Sequence, residues 1–169
     1  MVLTIRPAGP GDHAAIWRIF HAVVAAGDTY AYRPDTTREE AMAIWFPAGG
    51  WTFVAELDGA VVATYVMRPN QPGQGSHVAN CGYMVDPAAS GRGVGEALCR
   101  HSLAEAGRLG FLAMQFNFVV ASNTRAIELW QRCGFSIVGT VPDAFRHPSL
   151  GLVAAHVMYR RLDRIEGTG

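Results

Sequence analysis

The chain has 169 residues, of which 50% are hydrophobic, and its 14 lysines and arginines balance its 14 aspartates and glutamates. This length suits one domain with a sizeable core. A formal net charge of zero supplies no overall field that would attract nucleic acid or acidic lipid. The amino-terminal segment lacks a charged region followed by a long apolar run, and no apolar run approaches the length of a membrane span. We therefore expect a cytoplasmic globular protein whose partners include neither nucleic acid nor a membrane.

The cysteines are Cys81, Cys99 and Cys133. They are odd in number and widely spaced, so they indicate neither a disulfide framework nor a zinc-binding motif. Buried free thiols in a reducing compartment are the expected state. No metal site is predicted.

The first third of the chain predicts one strand and two helices, at residues 3–8, 11–25 and 36–46. Apolar side chains recur at helical spacing in the first helix, and Asp12 is its expected N-cap. Thr36 and Glu39 have the spacing of a capping box, which predicts the start of the second helix.

The rest of the chain predicts strands at 51–57, 60–68, 77–85, 111–120, 135–141 and 152–160, and helices at 93–109 and 123–133. The Asp58-Gly59 dipeptide between the first two of these strands is a strong hairpin signal. Residues 142–149 are expected to form the loop before the last strand. The order β-α-α-β-β-β-α-β-α-β-β implies a single α/β domain at residues 1–162, with helices on the faces of a sheet and a tail at residues 163–169.

A loop at the start of the third helix carries Gly91, Gly93 and Gly95. It is not a P-loop, because Glu96 follows the last glycine where that motif needs lysine. It is not a dinucleotide-binding turn either, because Glu96 again replaces a required glycine. Glycines let a backbone approach an anion, whose charge the free N–H groups of a helix start and Arg92 would stabilise. An ordinary glycine-rich turn is the alternative.

Two motifs in order, "MVDPAASGRGVGEAL" and "NTRAIELWQRCGF", make the chain resemble the GNAT superfamily of acyl-CoA-dependent N-acetyltransferases. The family's pyrophosphate-binding pattern is Arg/Gln-x-x-Gly-x-Gly/Ala after the fourth strand. Its second motif, Asn-x-x-Ala-x-x-Leu-Tyr-x-x-x-Gly-Phe, follows the fifth strand. The resemblance implies a mixed α/β fold with a largely antiparallel sheet of about seven strands and about four helices. Acetyl-CoA would lie between a splayed fourth and fifth strand.

The resemblance also assigns residues to acetyl-CoA binding, and they come from the fourth strand, the glycine loop and the fourth helix. They are Met84, Val85, Ser90, Gly91, Arg92, Gly93, Val94, Gly95, Glu96, Asn123, Ala126 and Trp130. Backbone groups near Tyr83 to Val85 would meet the pantetheine amides and the thioester carbonyl.

Two positions depart from the family pattern. Ser90 stands where arginine or glutamine is usual, so one side-chain contact near the pyrophosphate is missing. Trp130 stands where many members carry the tyrosine proposed to protonate the leaving thiolate. An indole N–H donates a hydrogen bond but is no acid near neutral pH. The thiolate of a thiol with a pKa of about 8.5 leaves with little help, so a positioned water could suffice to protonate it.

A narrower resemblance links "HVANCGYMV", "FNFVVASN" and "VGTVPDAFRHPSLGLVAAHVMY" to the branch containing the fungal azetidine-2-carboxylate N-acetyltransferase. Three asparagines surround substrate and thioester in that branch, and they fall on Asn80, Asn117 and Asn123. We interpret Asn80 and Asn117 as residues that bind the carboxylate of the substrate. Asn117 and Asn123 are interpreted as catalytic residues. The alternative for the first two is that neighbouring backbone satisfies their amides. Asn123 would cap its helix in either case.

The substrate side of the site is less defined by the sequence. The conceivable general bases are His77, Glu56, Glu128, Asp143 and His147, and the sequence does not decide among them. A base working through water would fit a neutral pocket lined by amides.

The loop at residues 27–35 lies where the family places its substrate-specificity loops, and it carries Tyr30 and Tyr32. We expect an aromatic lid in which Tyr30 contacts the substrate. Surface packing of the two rings is the alternative.

The predicted function is direct acetyl transfer from acetyl-CoA to the amine of a small molecule such as an amino or imino acid, without a metal. The alternatives are acetylation of a peptide or protein amine and a non-catalytic acyl-CoA-binding module. The sequence does not fix the oligomeric state, and a homodimer is one possible state, since dimers are common in families of this kind.

Overall fold

Residues 2–162 are described by the computed structural model, so the predicted tail at residues 163–169 lies outside the described residues. Within them the chain forms four α-helices: α1 (His13–Ala26), α2 (Arg38–Trp45), α3 (Val94–Arg108) and α4 (Thr124–Arg132). The same residues form seven strands: β1 (Leu3–Pro7), β2 (Trp51–Leu57), β3 (Ala60–Pro69), β4 (Val78–Val85), β5 (Ala113–Val120), β6 (Ser136–His147) and β7 (Gly151–Arg161). The predicted order of elements is confirmed.

One sheet contains all seven strands in the order β1-β2-β3-β4-β5-β7-β6. Every neighbouring pair is antiparallel except β4 and β5, which run parallel. That parallel pair is joined only from Val78–Asn80 to Ala113–Gln115, and the two strands separate beyond it. The predicted mixed, largely antiparallel sheet with splayed fourth and fifth strands is therefore confirmed.

Helices cover the two faces of the sheet and bury two separate cores. On one face, α1 and α2 pack Ile16, Phe20 and Trp45 against Val54 and Met84. On the other, α3 and α4 cover the larger core, whose members run from β2 to β7 and include Tyr65, Leu98, Met114, Phe116 and Met158. The splay between β4 and β5 therefore opens between two well-packed layers.

The starts of α1 and α2 differ from the sequence predictions. The capping box of α2 uses Thr37 and Glu40, with Glu40 N donating to Thr37 Oγ1 at 3.2 Å and Thr37 N donating to Glu40 Oε2 at 2.7 Å. Thr36 instead donates its hydroxyl to the Arg33 carbonyl at 2.6 Å. The prediction of Thr36 with Glu39 was wrong by one residue, because both pairs have the same spacing.

Asp12 precedes α1 as predicted, but it does not cap that helix with its side chain. Its carboxylate accepts from Gly9 N at 2.8 Å and from both terminal nitrogens of Arg6, at 2.8 and 2.9 Å. Asp12 therefore joins β1 to the helix entry, and its predicted capping role was wrong.

The predicted loop at residues 142–149 is wrong over most of its length, because β6 continues to His147. Its pairing with β7 is irregular between Val141 and Phe145, which accommodates Pro142 at an edge strand. The real turn is short. Within it His147 Nδ1 accepts from the backbone N–H groups of Ser149 and Leu150, at 3.1 and 3.2 Å.

Two further sequence predictions are confirmed. Asp58 and Gly59 form the tight turn between β2 and β3 with positive φ values of 51° and 85°. Cys81, Cys99 and Cys133 are buried and unpaired. No helix within residues 2–162 is long and apolar enough to cross a membrane.

Candidate active site

A cleft of about 690 Å³ opens where β4 and β5 separate. Its walls come from these two strands, the loop after α1, the glycine loop before α3, and α4. All the residues predicted to bind acetyl-CoA line this cleft except Arg92, which is exposed and is not among the lining residues. The three predicted substrate residues Tyr30, Asn80 and Asn117 line it as well. The structure thus brings together positions as far apart in the sequence as Tyr30 and Trp130.

The glycine loop forms one end of the cleft, and its shape depends on left-handed backbone. Gly91 and Gly93 have φ values of 82° and 76°, a conformation that residues with a Cβ adopt at a cost of about 1–2 kcal/mol. The left-handed turn at Gly93 directs the chain into α3, which begins at Val94. Backbone N–H groups of the first helical turn have no partner inside the helix, so this end suits an anion.

The first turn of α4 lies beside that loop. Asn123 Oδ1 accepts from Ala126 N at 3.3 Å, so the predicted cap is present and the side chain also borders the cleft. Further along α4, the Trp130 ring centroid lies 4.9 Å from that of Tyr83 and 5.0 Å from that of Phe116. Trp130 therefore forms part of an aromatic wall at the position where many relatives carry tyrosine.

Tyr30 reaches from the loop after α1 into the gap beside β4. Its hydroxyl donates to the Tyr83 carbonyl at 2.6 Å and accepts from the Tyr83 N–H at 2.9 Å. Its ring stacks on Tyr32 with centroids 5.5 Å apart and planes 10° apart. Burial raises the pKa of Tyr30 well above its ordinary value, so the phenol stays neutral at physiological pH. The two rings therefore form a stacked pair that is anchored on the backbone of β4 and packs against the smaller core, and their role as an aromatic lid stays a prediction.

Amide side chains form the other end of the cleft. Asn80 Nδ2 donates to the Gln115 carbonyl at 3.0 Å, which is the backbone contact considered as an alternative to substrate binding. Asn117 Nδ2 donates to Asn70 Oδ1 at 2.7 Å and its oxygen accepts from Gln115 Nε2 at 3.0 Å. Asn117 is exposed, so its amide can exchange these partners for a ligand. We call Asn80, Asn117 and Arg68 the amide end of the cleft.

Arg68 is a lining residue that the sequence analysis missed. It lies directly opposite Asn80 in the β3–β4 register, so both side chains emerge on one face of the sheet. Its charge acts on Tyr32, where it opposes the rise in the pKa of Tyr32 that burial causes. Arg68 forms no ion pair with a carboxylate among residues 2–162. An arginine in a strand pattern gives no signal by itself; only the strand register places it in the cleft.

Titratable bases are scarce around the cleft. Among the described residues that line it, none is histidine or aspartate, and the one glutamate, Glu96, lies at the glycine-loop end. Glu96 is held there by Arg100 through a hydrogen bond of 2.8 Å. None of the five conceivable bases from the sequence analysis lines the cleft, and the ring nitrogen Nδ1 of His147 is occupied by its own turn.

A sheet splayed at one parallel strand pair, with a glycine loop and helix start beside the opening, defines the acyl-CoA-dependent acyltransferase class of fold. A model of the Acetyltransferase (GNAT) family matches residues 13–135. The chain belongs to this family.

Known proteins of the same fold place the chain among bacterial and fungal relatives. A GCN5-related N-acetyltransferase from Kribbella flavida is 50% identical, with a TM-score of 0.91 over 95% of this chain and 98% of that one. A phosphinothricin acetyltransferase from Sinorhizobium meliloti, solved in complex with acetyl-CoA, is 22% identical, with a TM-score of 0.84 over 99% of this chain and 95% of that one.

Among curated proteins, N-acetyltransferase aca1 of Schizosaccharomyces pombe is 37% identical over 87 residues, which are 52% of this chain and 42% of the relative. The chain spans less than half the length of the curated relatives it matches, 42% and 45%. Family and fold are therefore shared, while the relatives' substrates are their own.

Proposed function

We propose that this protein transfers the acetyl group of acetyl-CoA directly to the amine of a small amino or imino acid. The amine nitrogen bonds to the thioester carbon and the C–S bond breaks. The proton lost by the amine goes to solvent, and the CoA thiolate leaves and takes up a proton from solvent. Membership of the acetyltransferase family and the two polar ends of one cleft support the proposal.

The cleft has one end suited to acetyl-CoA. The glycine loop and the start of α3 present backbone N–H groups toward an anion, as a pyrophosphate requires. The relative from Sinorhizobium meliloti was solved with acetyl-CoA, which supports the same co-substrate here.

The observation that carries the substrate class is Arg68 at the amide end. A guanidinium without a carboxylate partner binds a substrate carboxylate bidentately, and amides from Asn80 and Asn117 can add donors. This arrangement favours an acidic group on the acceptor. It disfavours polyamines and lysine side chains, which would bring a second positive charge toward Arg68.

The cleft supports the reaction through position rather than through a strong base. An amine attacks a thioester only in its neutral form, and because no histidine or aspartate among the described residues lines the cleft, the amine is expected to lose its proton to solvent before it attacks. The family resemblance assigns backbone groups near Tyr83 to Val85 to the pantetheine amides and the thioester carbonyl, and the Tyr83 N–H, which donates to the Tyr30 hydroxyl at 2.9 Å, is one such donor. Trp130 adds an apolar wall to the cleft beside Tyr83.

The test is a free-thiol release assay with acetyl-CoA and a panel of cyclic imino acids, amino acids, their carboxamides, polyamines and peptides. We expect turnover of acids, with kcat/KM at least about tenfold above that of the matching carboxamides, since one charged hydrogen bond is removed. Turnover only of peptides would favour a peptide acetyltransferase. Acetyl-CoA binding without turnover of any amine would favour a non-catalytic module. Either result contradicts the proposal.

Substitutions at the amide end locate the carboxylate contact. Arg68→Ala should raise KM for an acidic substrate about tenfold or more and leave KM for its carboxamide unchanged. Asn80→Ala and Asn117→Ala should raise the substrate KM or lower kcat with little change in acetyl-CoA affinity. Unchanged kinetics in all three variants would mean that the acceptor binds elsewhere.

We also propose a cytoplasmic location and a homodimer. The three unpaired buried cysteines suit a reducing compartment. The exposed edge strand β6 is a surface on which a second copy could pair.

A further inference from the structure

Ser90, the residue of the glycine loop that departs from the family pattern, is contacted by a side chain from α4. Arg125 Nη1 donates to Ser90 Oγ at 3.0 Å. The other terminal nitrogen of Arg125 lies 3.5 Å from the place where a Cβ on Gly91 would stand. Arg125 is the second residue of α4, so its guanidinium crosses from that helix to the loop.

We propose that Arg125, reaching over from α4, makes the side-chain contact that Ser90 cannot make in place of the family's arginine or glutamine, and that it binds the pyrophosphate of acetyl-CoA. The proposal rests on acetyl-CoA being the co-substrate. In this arrangement Ser90 positions the guanidinium through its hydroxyl, and Arg125 contacts the phosphate oxygens. The two residues together would supply the side-chain contact that Ser90 alone is too short to make.

The charges around the loop single out Arg125. Arg132 also lines the cleft, but its Nε lies 4.0 Å from Glu96 Oε2, so its charge is partly neutralised. Arg92 does not line the cleft. Arg125 lines it and forms no ion pair with a carboxylate anywhere in the described part of the chain.

The chemistry of the group fits a pyrophosphate. A guanidinium is always charged and presents paired N–H donors that match two phosphate oxygens. One nitrogen is held by Ser90, and the second is directed over Gly91, where the backbone is free of side chains. Backbone N–H groups alone would bind the same anion without a compensating charge.

The experiment measures dissociation constants for CoA and dephospho-CoA by calorimetry, on wild type and on four variants. Arg125→Ala should weaken both ligands by about tenfold or more, since a charged hydrogen bond is lost. Arg125→Lys should recover part of the affinity. The double variant Ser90→Arg/Arg125→Ala should recover most of it, because the cation returns to the family's position. Arg38→Ala, an exposed arginine at the start of α2, is the matched control and should change neither constant.

The outcomes separate the proposal from its alternatives. If Arg125→Ala weakens CoA but not dephospho-CoA, the arginine binds the 3′-phosphate and the pyrophosphate assignment is overturned. If the Arg125→Ala variant binds both ligands as tightly as wild type, Arg125 does not bind the pyrophosphate and its contact with Ser90 is only a surface hydrogen bond. That result would overturn the proposal. If wild type itself binds neither ligand, the proposed function fails rather than this inference.

The proposal can still be tested if one of these variants folds poorly. Thermal unfolding without ligand checks each variant first. The salt dependence of CoA binding by Arg125→Gln gives a second measurement, which should be shallower than that of wild type because one phosphate contact is lost. An unchanged salt dependence would contradict the proposal.

Discussion

At the scale of single residues, the Tyr30 hydroxyl occupies both hydrogen-bonding groups of the Tyr83 backbone, the carbonyl and the N–H. One N–H donates one strong hydrogen bond, so a thioester oxygen that bound the Tyr83 amide would have to displace the Tyr30 hydroxyl. Tyr30→Phe should lower the free energy of unfolding by about 1–3 kcal/mol without ligand, because it strands two buried backbone groups. Acetyl-CoA should then stabilise this variant more than it stabilises wild type. Urea unfolding with and without acetyl-CoA measures both effects, and equal stabilisation would show that the thioester does not use this amide.

The scarcity of titratable groups gives a second prediction at this scale. With no histidine or aspartate among the described lining residues, the rate should follow ionisation of the substrate amine. We expect log kcat/KM for an imino acid to rise with a slope of about one toward the pKa of its own amine. A plateau beginning near pH 6.5, about the usual pKa of histidine, would instead reveal an enzyme base.

The residues of the site were predictable only in part, for a physical reason. Asn80, Asn117 and the glycines lie inside recognisable motifs, and the structure places them around one cleft. Arg68 and Arg125 belong to no phosphate- or carboxylate-binding pattern in sequence. Their place depends on strand register and on the approach of α4 to the loop, which are tertiary properties.

At the scale of elements, the periodic segments were predicted well and their boundaries less well. Consecutive threonines and glutamates offer two capping boxes of equal spacing, so local spacing alone does not decide between them, and the structure uses Thr37 with Glu40. Pro142 and Asp143 resemble a loop, yet an edge strand tolerates proline because one side of it needs no ladder bonds.

The glycine loop yields a prediction whose control is a second left-handed glycine, at the other end of α3. Gly93→Ala places a Cβ on left-handed backbone, at a cost of about 1 kcal/mol in the free energy of unfolding. It also fills space beside the proposed position of the pyrophosphate, so acetyl-CoA affinity should fall about tenfold. Gly110 follows α3 with a φ of 88° and, like Gly93, has no heavy atom within 4 Å of the place where a Cβ would stand.

Gly110→Ala should therefore show a similar stability cost with unchanged acetyl-CoA binding. Calorimetric binding and chemical unfolding of both variants separate the two effects. Equal affinity in the two variants would remove the loop from the binding site.

At the scale of the whole molecule, β6 is the more exposed edge of the sheet. Val138 and Val141 are 60% and 53% exposed, and residues 136–141 carry no charged side chain. Two copies with zero net charge do not repel one another, and an antiparallel pair of identical edges closes on a twofold axis.

The homodimer is tested by adding charge to this edge. Val138→Lys should raise the dimer dissociation constant at least about tenfold, as measured by sedimentation equilibrium, because two like charges would face across the axis. Val2→Lys is the control, since Val2 is 69% exposed but precedes β1 at the other edge of the sheet. A wild type that sediments as a monomer at all concentrations would contradict the dimer.

Stability of the whole fold toward acid should depend on the ion cluster at the sheet's other edge. Arg6 joins Asp12 to Glu56, with Arg6 Nε 3.0 Å from Glu56 Oε1, and so ties β1, β2 and the entry to α1. The hydrogen bonds from Arg6 hold the pKa of Asp12 below its ordinary value. Burial opposes this effect, and the hydrogen bond from the Gly9 amide adds to it. A group with a lowered folded pKa contributes stability that is complete above its unfolded pKa, about 3.9, and is lost as the pH falls through the folded value.

Asp12→Asn should therefore lower the free energy of unfolding by a constant amount at neutral pH, where the wild-type carboxylate is fully ionised. Below about pH 4 the wild-type advantage should shrink, because protonation removes the same charge that the substitution removes. Urea unfolding of both proteins from about pH 7 to about pH 2.5 measures the difference, and comparing the two proteins cancels the titration of other carboxylates. A difference that stays constant to the lowest pH would show that Asp12 acts through its shape and hydrogen bonds rather than through its charge.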